Sequence, residues 1–213
     1  MRLLPAEPRL PLPLKIAFTA FMAVMVPFYW LTYGPTNFLY FCDVAMFMTL
    51  AAVWTEKPLL AAMPAVGIVL PQMLWCLDFV GTAVGKPVVG MTAYMFDEGI
   101  PRFARGISLF HAWLPFLLLY LVRKLGYDRR ALVAWTVLAW TLIAISYAFI
   151  PAPPALASAP NAPVNINYVY GLSDAGPQTF MPQPAWLALL VVALPVAIFA
   201  PTHAFLRRFA GAR

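Results

Sequence analysis

Ala131-Leu132-Val133-Ala134-Trp135-Thr136-Val137-Leu138-Ala139-Trp140-Thr141-Leu142-Ile143-Ala144-Ile145-Ser146-Tyr147-Ala148-Phe149-Ile150 is a run of 20 residues without a charged side chain. In helical conformation such a run is about 30 Å long, the thickness of a bilayer's hydrocarbon core. A membrane barrel would need shorter strands that alternate polar and apolar residues, so the run reads as a transmembrane helix.

Working outward, five more runs have the same character: Leu14 to Leu31, Asn37 to Trp54, Pro58 to Val80, Phe103 to Val122 and Pro184 to Leu206. Pro27, Pro64, Pro71, Pro115 and Pro195 fall inside them and are read as kinks. Hydrophobic residues make up 63% of the 213 and charged residues 10%, a balance no water-soluble surface of this size tolerates. The expectation is an all-α, polytopic membrane bundle of six transmembrane helices, forming one domain over residues 1–213. The first run follows Arg2, Arg9 and Lys15 as a signal peptide would, but no small-x-small cleavage site follows it, and it is read as retained.

Basic residues set the expected orientation, because cytoplasmic loops retain Lys and Arg. With the N-terminus inside, Arg2, Arg9, Lys15, Lys57, Arg123, Lys124, Arg129, Arg130, Arg207, Arg208 and Arg213 are cytoplasmic, against Lys86, Arg102 and Arg105 outside. Both termini are then cytoplasmic, and the long connections Gly81 to Arg102 and Pro151 to Gln183 face outward. The formal charge of +6 is explained by anionic inner-leaflet lipid, with no need of nucleic acid.

Tyr33-Gly34-Pro35-Thr36-Asn37 is a turn by chemistry, with Asn or Thr available to cap the next helix. The Pro- and Ala-rich stretch Pro151 to Pro163 carries no charge and reads as extended. Val164 to Tyr170 alternates like a strand or an interfacial cover, and is expected to fold over the outer mouth of the bundle. Tyr168, Tyr170, Phe180 and Trp186 are placed at headgroup level.

Ionisable residues inside apolar runs demand a reason, since a carboxyl there costs about 2.5–3.5 kcal/mol on insertion scales. On the expected topology Cys42 lies roughly 8 Å and His111 roughly 12 Å below the outer ends of their helices. Asp43, Asp78 and Cys76 share that layer, and His203 sits apart near the cytoplasmic end. A thiol, an imidazole to take its proton and a carboxylate to orient the imidazole make a nucleophilic site, which Cys42, His111 and either Asp43 or Asp78 can fill. The plainer readings are a space-filling cysteine, a histidine bonded to a neighbouring helix, or a disulfide between Cys42 and Cys76.

Asn37 to Ala45, with Cys42-Asp43, Ser108-Leu109-Phe110-His111 ahead of Pro115 to Val122, and Asn165 to Tyr170 together resemble the YwaF-like bacterial integral membrane family. That family shows a Leu-Pro-Leu-x-Leu-Cys-Asp stretch, a Ser-His-Gly stretch before a Leu-Tyr-Leu run and an Asn-Tyr-Met segment, in the same order. Here Phe41 and Phe110 replace polar or small neighbours, and Ala112 stands for the glycine after the histidine. The family is similar in turn to a eukaryotic phospholipid acyltransferase with a cysteine acyl intermediate, and to androgen-induced hydrolases of fatty-acid esters. The resemblance implies Cys42 as the acyl-carrying cysteine and His111 as the catalytic histidine; Thr36 lies well before the Cys42 position. It also implies a multi-pass protein of the bacterial cytoplasmic membrane.

Two readings follow. One is an acyltransferase or hydrolase acting on membrane lipid in the outer half of the bilayer, with Asn165, Asn167 or Tyr168 covering the site or donating to an oxyanion. The other is a non-catalytic six-helix protein that binds or moves a small or lipidic ligand through the same residues. No metal-ligand spacing, phosphate loop, haem motif or internal repeat is present, so no cofactor is expected.

Overall fold

The computed structural model describes residues 9–155 and 161–211, all helix, turn and loop without a strand. Arg2, Arg213 and residues 156–160 of the Pro- and Ala-rich connection lie outside the described residues. Five stretches are long and apolar enough to cross a membrane: Leu12–Tyr33, Pro58–Ala83, Arg102–Leu125, Ala131–Phe149 and Gln183–Gly211.

The sixth expected span is shorter than a span. After α1 (Leu12–Tyr33), Gly34 (φ 81°) turns the chain and Pro35–Leu39 forms a tight 3-10 turn, so α2 begins only at Phe41 and runs Phe41–Thr55. Its 15 residues measure about 22 Å, roughly 8 Å less than a hydrocarbon core. Asn37 does not cap it from the position the turn chemistry suggested: its side chain donates to Asp43 Oδ2 (3.1 Å) inside the first turn.

Helix α3 (Pro58–Ala83) is the central element, packed against α2 and against the later helices Phe110–Leu125, Ala131–Phe149 and Ala200–Gly211. Small residues on it let neighbours approach: Gly67 lies directly beneath the indole of Trp135, which is fully buried from α6 (Ala131–Phe149). Towards lipid the helices present Leu31, Val133, Phe149 and Val196, each more than 60% exposed, as a bilayer solvent requires.

Proline shapes the remaining spans by withholding N–H groups. Phe103 to Val122 was expected as one helix but consists of α4 (Arg102–Ser108) and α5 (Phe110–Leu125), tightened at Leu109. Within α5, Pro115 cannot donate to the carbonyl of His111, and the Cys76 thiol from α3 is directed at that oxygen and at Ala112 O (both 3.9 Å). In the last span, Pro195 leaves Val191 O without a helical donor, and Trp140 Nε1 of α6 supplies one (3.0 Å). There α7 (Gln183–Ala193) widens into a π turn over Leu194–Phe199 before α8 (Ala200–Gly211).

One end of the bundle is basic and tied by ions. Lys15 Nζ meets Glu56 Oε1 at 2.7 Å, and Glu56 also accepts the N–H groups of Arg9 (2.8 Å) and Leu10 (3.2 Å). These contacts hold Glu56 below the ordinary glutamate range, with Lys15 the largest cause. Lys57, Arg123, Lys124, Arg129, Arg130, Arg207 and Arg208 are at the same end, where Tyr127 Oη and His203 Nδ1 join α8 to the α5–α6 loop (2.7 Å).

The segment Val164 to Tyr170 is not a strand. Asn165 (φ 51°), Asn167 (φ 58°) and Tyr168 (φ 62°) all take left-handed backbone angles, which coil it into a short turn around Ile166–Tyr168. It does fold onto the bundle: Ile166 and Val169 are fully buried, and Trp186, buried rather than facing headgroups, donates to Tyr168 O (2.8 Å).

Candidate functional site

Cys42, Asp43, Gln72 and His111 each stand about 20 Å along their helices from the basic end, so α2, α3 and α5 bring them to one level. Because α2 is short, its N-terminus opens at that level of the bundle. Asp43 and Gln72 are buried (2% and 3% exposed), while Cys42 and His111 are partly so.

Cys42 occupies the first turn of α2, where amide N–H groups have no helical partner. Tyr29, Tyr40, Tyr94 and Tyr168 stand within electrostatic range of Cys42, converging from α1, the α1–α2 turn and both long connections. Burial raises the Tyr94 phenol above its usual range, keeping this donor protonated.

His111 is fixed by the break that precedes it. Ser108 closes α4, and His111 Nδ1 lies 2.8 Å from Ser108 O. A carbonyl only accepts, so Nδ1 carries the hydrogen and Nε2 carries the lone pair. The ring is stacked between Trp75 (5.3 Å, 19°) and Phe110 (4.0 Å, 25°). Ser108 Oγ meets Tyr29 Oη at 3.3 Å, which ties the same corner to α1. No hydrogen bond joins Cys42 to His111 among the described residues. Both cysteines are free thiols, and Cys76 faces α5.

The two aspartates differ in environment. Asp78 is fully engaged: Oδ1 accepts the N–H groups of Val88 (2.8 Å), Val89 (2.7 Å) and Gly90 (2.9 Å), and Oδ2 accepts Thr92 N (2.9 Å) and Oγ1 (2.7 Å). Five donors hold it to the connection after α3, and it makes no bond to His111. Asp43 has one partner, Asn37, and its Oδ1 is buried without any.

The asparagines expected near the site are braces. Asn167 Oδ1 accepts Phe41 N (3.0 Å) and its amide donates to Leu39 O (2.9 Å), capping α2 from the second long connection. Asn165 binds that connection to itself through Gly171 O, Ser173 O, Asp174 Oδ1 and Tyr170 N. Tyr168 is half exposed, its ring beside the layer.

Gln72 escaped the sequence reading although an amide mid-span was a signal available there. Both of its amide atoms are buried and unpartnered. Tyr29, Tyr94 and Ser108 carry no such signal, because only the fold brings them here. No group of three or more His, Cys, Asp or Glu able to hold a metal ion occurs among the described residues.

Comparison of the chain with known protein families, with curated proteins and with solved structures found no match.

Proposed function

We propose that this multi-pass membrane protein of YwaF-like character transfers or hydrolyses acyl groups of membrane lipid at the Cys42–His111 layer, with its basic end in the bacterial cytoplasm. The observation that carries the reading is the pairing of two prepared groups at one depth. Cys42 occupies the first turn of α2, and His111 presents Nε2 as its basic nitrogen.

In the reaction, His111 Nε2 takes the thiol proton and Sγ attacks the ester carbonyl. A C–S bond forms, the ester C–O bond breaks, and the proton passes to the leaving alkoxide. Water or a second lipid hydroxyl then takes the acyl group and restores the thiol. Amides at the α2 terminus and the Tyr29 or Tyr94 hydroxyl are the available oxyanion donors. Approach of Nε2 to Sγ accompanies substrate binding, as catalytic contacts often tighten only then.

A second reading is ligand binding without chemistry, favoured by the unpartnered Asp43 Oδ1 and Gln72 amide, which a polar head group satisfies equally well. Detergent-solubilised protein incubated with phospholipid separates the two by intact-protein mass spectrometry. The enzyme reading expects an acyl adduct on Cys42 that disappears in Cys42→Ala, persists in Cys76→Ala and forms at least about 100-fold more slowly in His111→Ala. Bound but unmodified lipid in every variant leaves the binding reading standing alone.

A further inference from the structure

At the basic end, the α5–α6 loop and α8 enclose a cleft that the Cys42 layer does not explain. Arg129, Ala204, Arg207 and Arg208 line a cavity of about 320 Å³. A second, of about 220 Å³, shares Arg129 and Arg207 and adds Tyr127, Ala210 and Gly211. Residues 204, 207 and 208 lie three and four apart, so α8 offers two guanidinium groups on one face with an alanine leaving room between them and the loop.

The nearby carboxylate does not serve these arginines. Asp128 is closed onto Arg130, with Oδ2 2.7 Å from Nη2 and Oδ1 3.1 Å from Nε, and that pairing holds Asp128 below the usual carboxylate range. Neither ion pair among the described residues involves Arg129, Arg207 or Arg208. The scaffold is fixed, since Gly126 (φ 97°) ends α5 and the Tyr127–His203 bond pins the loop to α8 one turn before Arg207. Three like charges held in one cleft repel each other until an anion enters, and guanidinium forks match the oxygens of phosphate in pairs.

We propose that Arg129, Arg207 and Arg208 form a site for a phosphate group, carried by the head of an acidic phospholipid. The place of the cleft supports lipid over free phosphate, because it lies at the end of the apolar stretch Gln183–Gly211, long enough to cross a membrane, where head groups gather.

Native mass spectrometry of the full chain tests this with phosphatidylglycerol, phosphatidylcholine and inorganic phosphate as separate probes. Phosphatidylglycerol is expected to bind in preference to phosphatidylcholine, and Arg129→Gln and Arg207→Gln each to weaken it roughly fivefold. Ala204→Leu fills the cavity without changing charge and is expected to weaken binding as well. Lys86→Gln removes the same charge at the opposite end and should leave binding unaltered. The proposal fails if Lys86→Gln weakens binding as much as Arg129→Gln, if Ala204→Leu has no effect, or if phosphatidylcholine binds equally. Inorganic phosphate that occupies the site while phosphatidylglycerol does not overturns the lipid assignment.

Discussion

The side chain of Asn167 brackets the start of α2, accepting the N–H of Phe41 at 3.0 Å and donating to the carbonyl of Leu39 at 2.9 Å. A residue 126 positions away thus replaces the capping side chain that Tyr40 does not provide. Asn167→Ala removes the cap and puts at φ 58° a residue that tolerates left-handed angles less well than asparagine, so two costs combine. Asn167→Gly keeps the backbone angle and loses only the bonds. Thermal unfolding in detergent should show Asn167→Gly destabilised by about 1–2 kcal/mol and Asn167→Ala by more. Labelling of Cys42 by a thiol reagent should quicken in both, since the terminus it occupies loosens.

Asp78 organises the connection after α3 by accepting five hydrogen bonds, none from another ionisable group. Asp78→Asn puts an NH₂ group where only donors converge, so at least one buried N–H loses its partner. Limited proteolysis should cut residues 84–101 faster in the variant, with a melting temperature lower by roughly 5 °C. Cleavage at the wild-type rate would mean that the carboxylate is not what holds the connection.

Much of this arrangement could be read from local sequence, and the unread parts share a cause. Five spans follow from length and apolarity, which are properties of each segment alone. The start of α2 does not, because its cap comes from Asn167 and the nearby Asn37 turns to Asp43 instead. Cys42, Asp43, Asp78 and His111 were conspicuous as polar residues in apolar runs, but that signal does not separate a brace from a site. Asp78 is distinguished only by the loop that returns to it, and His111 by the α4 carbonyl it closes. The left-handed angles at Asn165, Asn167 and Tyr168 overrode an alternating pattern, since bonds to α2 and within the loop outweighed pairing that had no second strand.

At Gly67 helix α3 meets Trp135 of α6, and a methyl group added there would fall within the Trp135 ring. Trp135 is fully buried between Phe41 (6.2 Å) and Phe199 (6.5 Å), so it has little room to withdraw. Gly67→Ala should destabilise the protein by about 1–3 kcal/mol through overpacking. Trp135 Nε1 has no hydrogen-bond partner, so replacing the ring breaks no bond. Gly67→Ala combined with Trp135→Leu should therefore melt above the sum of the two single losses. Simple additivity would show that the two positions do not meet.

Glu56 links the segment before α1 to the α2–α3 turn through Lys15, Arg9 and Leu10. Lys15 chiefly, and the two backbone N–H groups with it, lower its folded value below the ordinary 4.5. A carboxyl lowered on folding contributes stability that is complete above its unfolded value and disappears as pH falls through the folded one. Glu56→Gln should accordingly unfold about 1 kcal/mol more easily than wild type at pH 7. The gap should close as the pH is taken below 4.5, because protonated wild-type Glu56 then resembles the amide. Melts of both proteins across that interval decide the matter: a gap that stays constant would assign the loss to the shape of the turn rather than to the charge on Glu56.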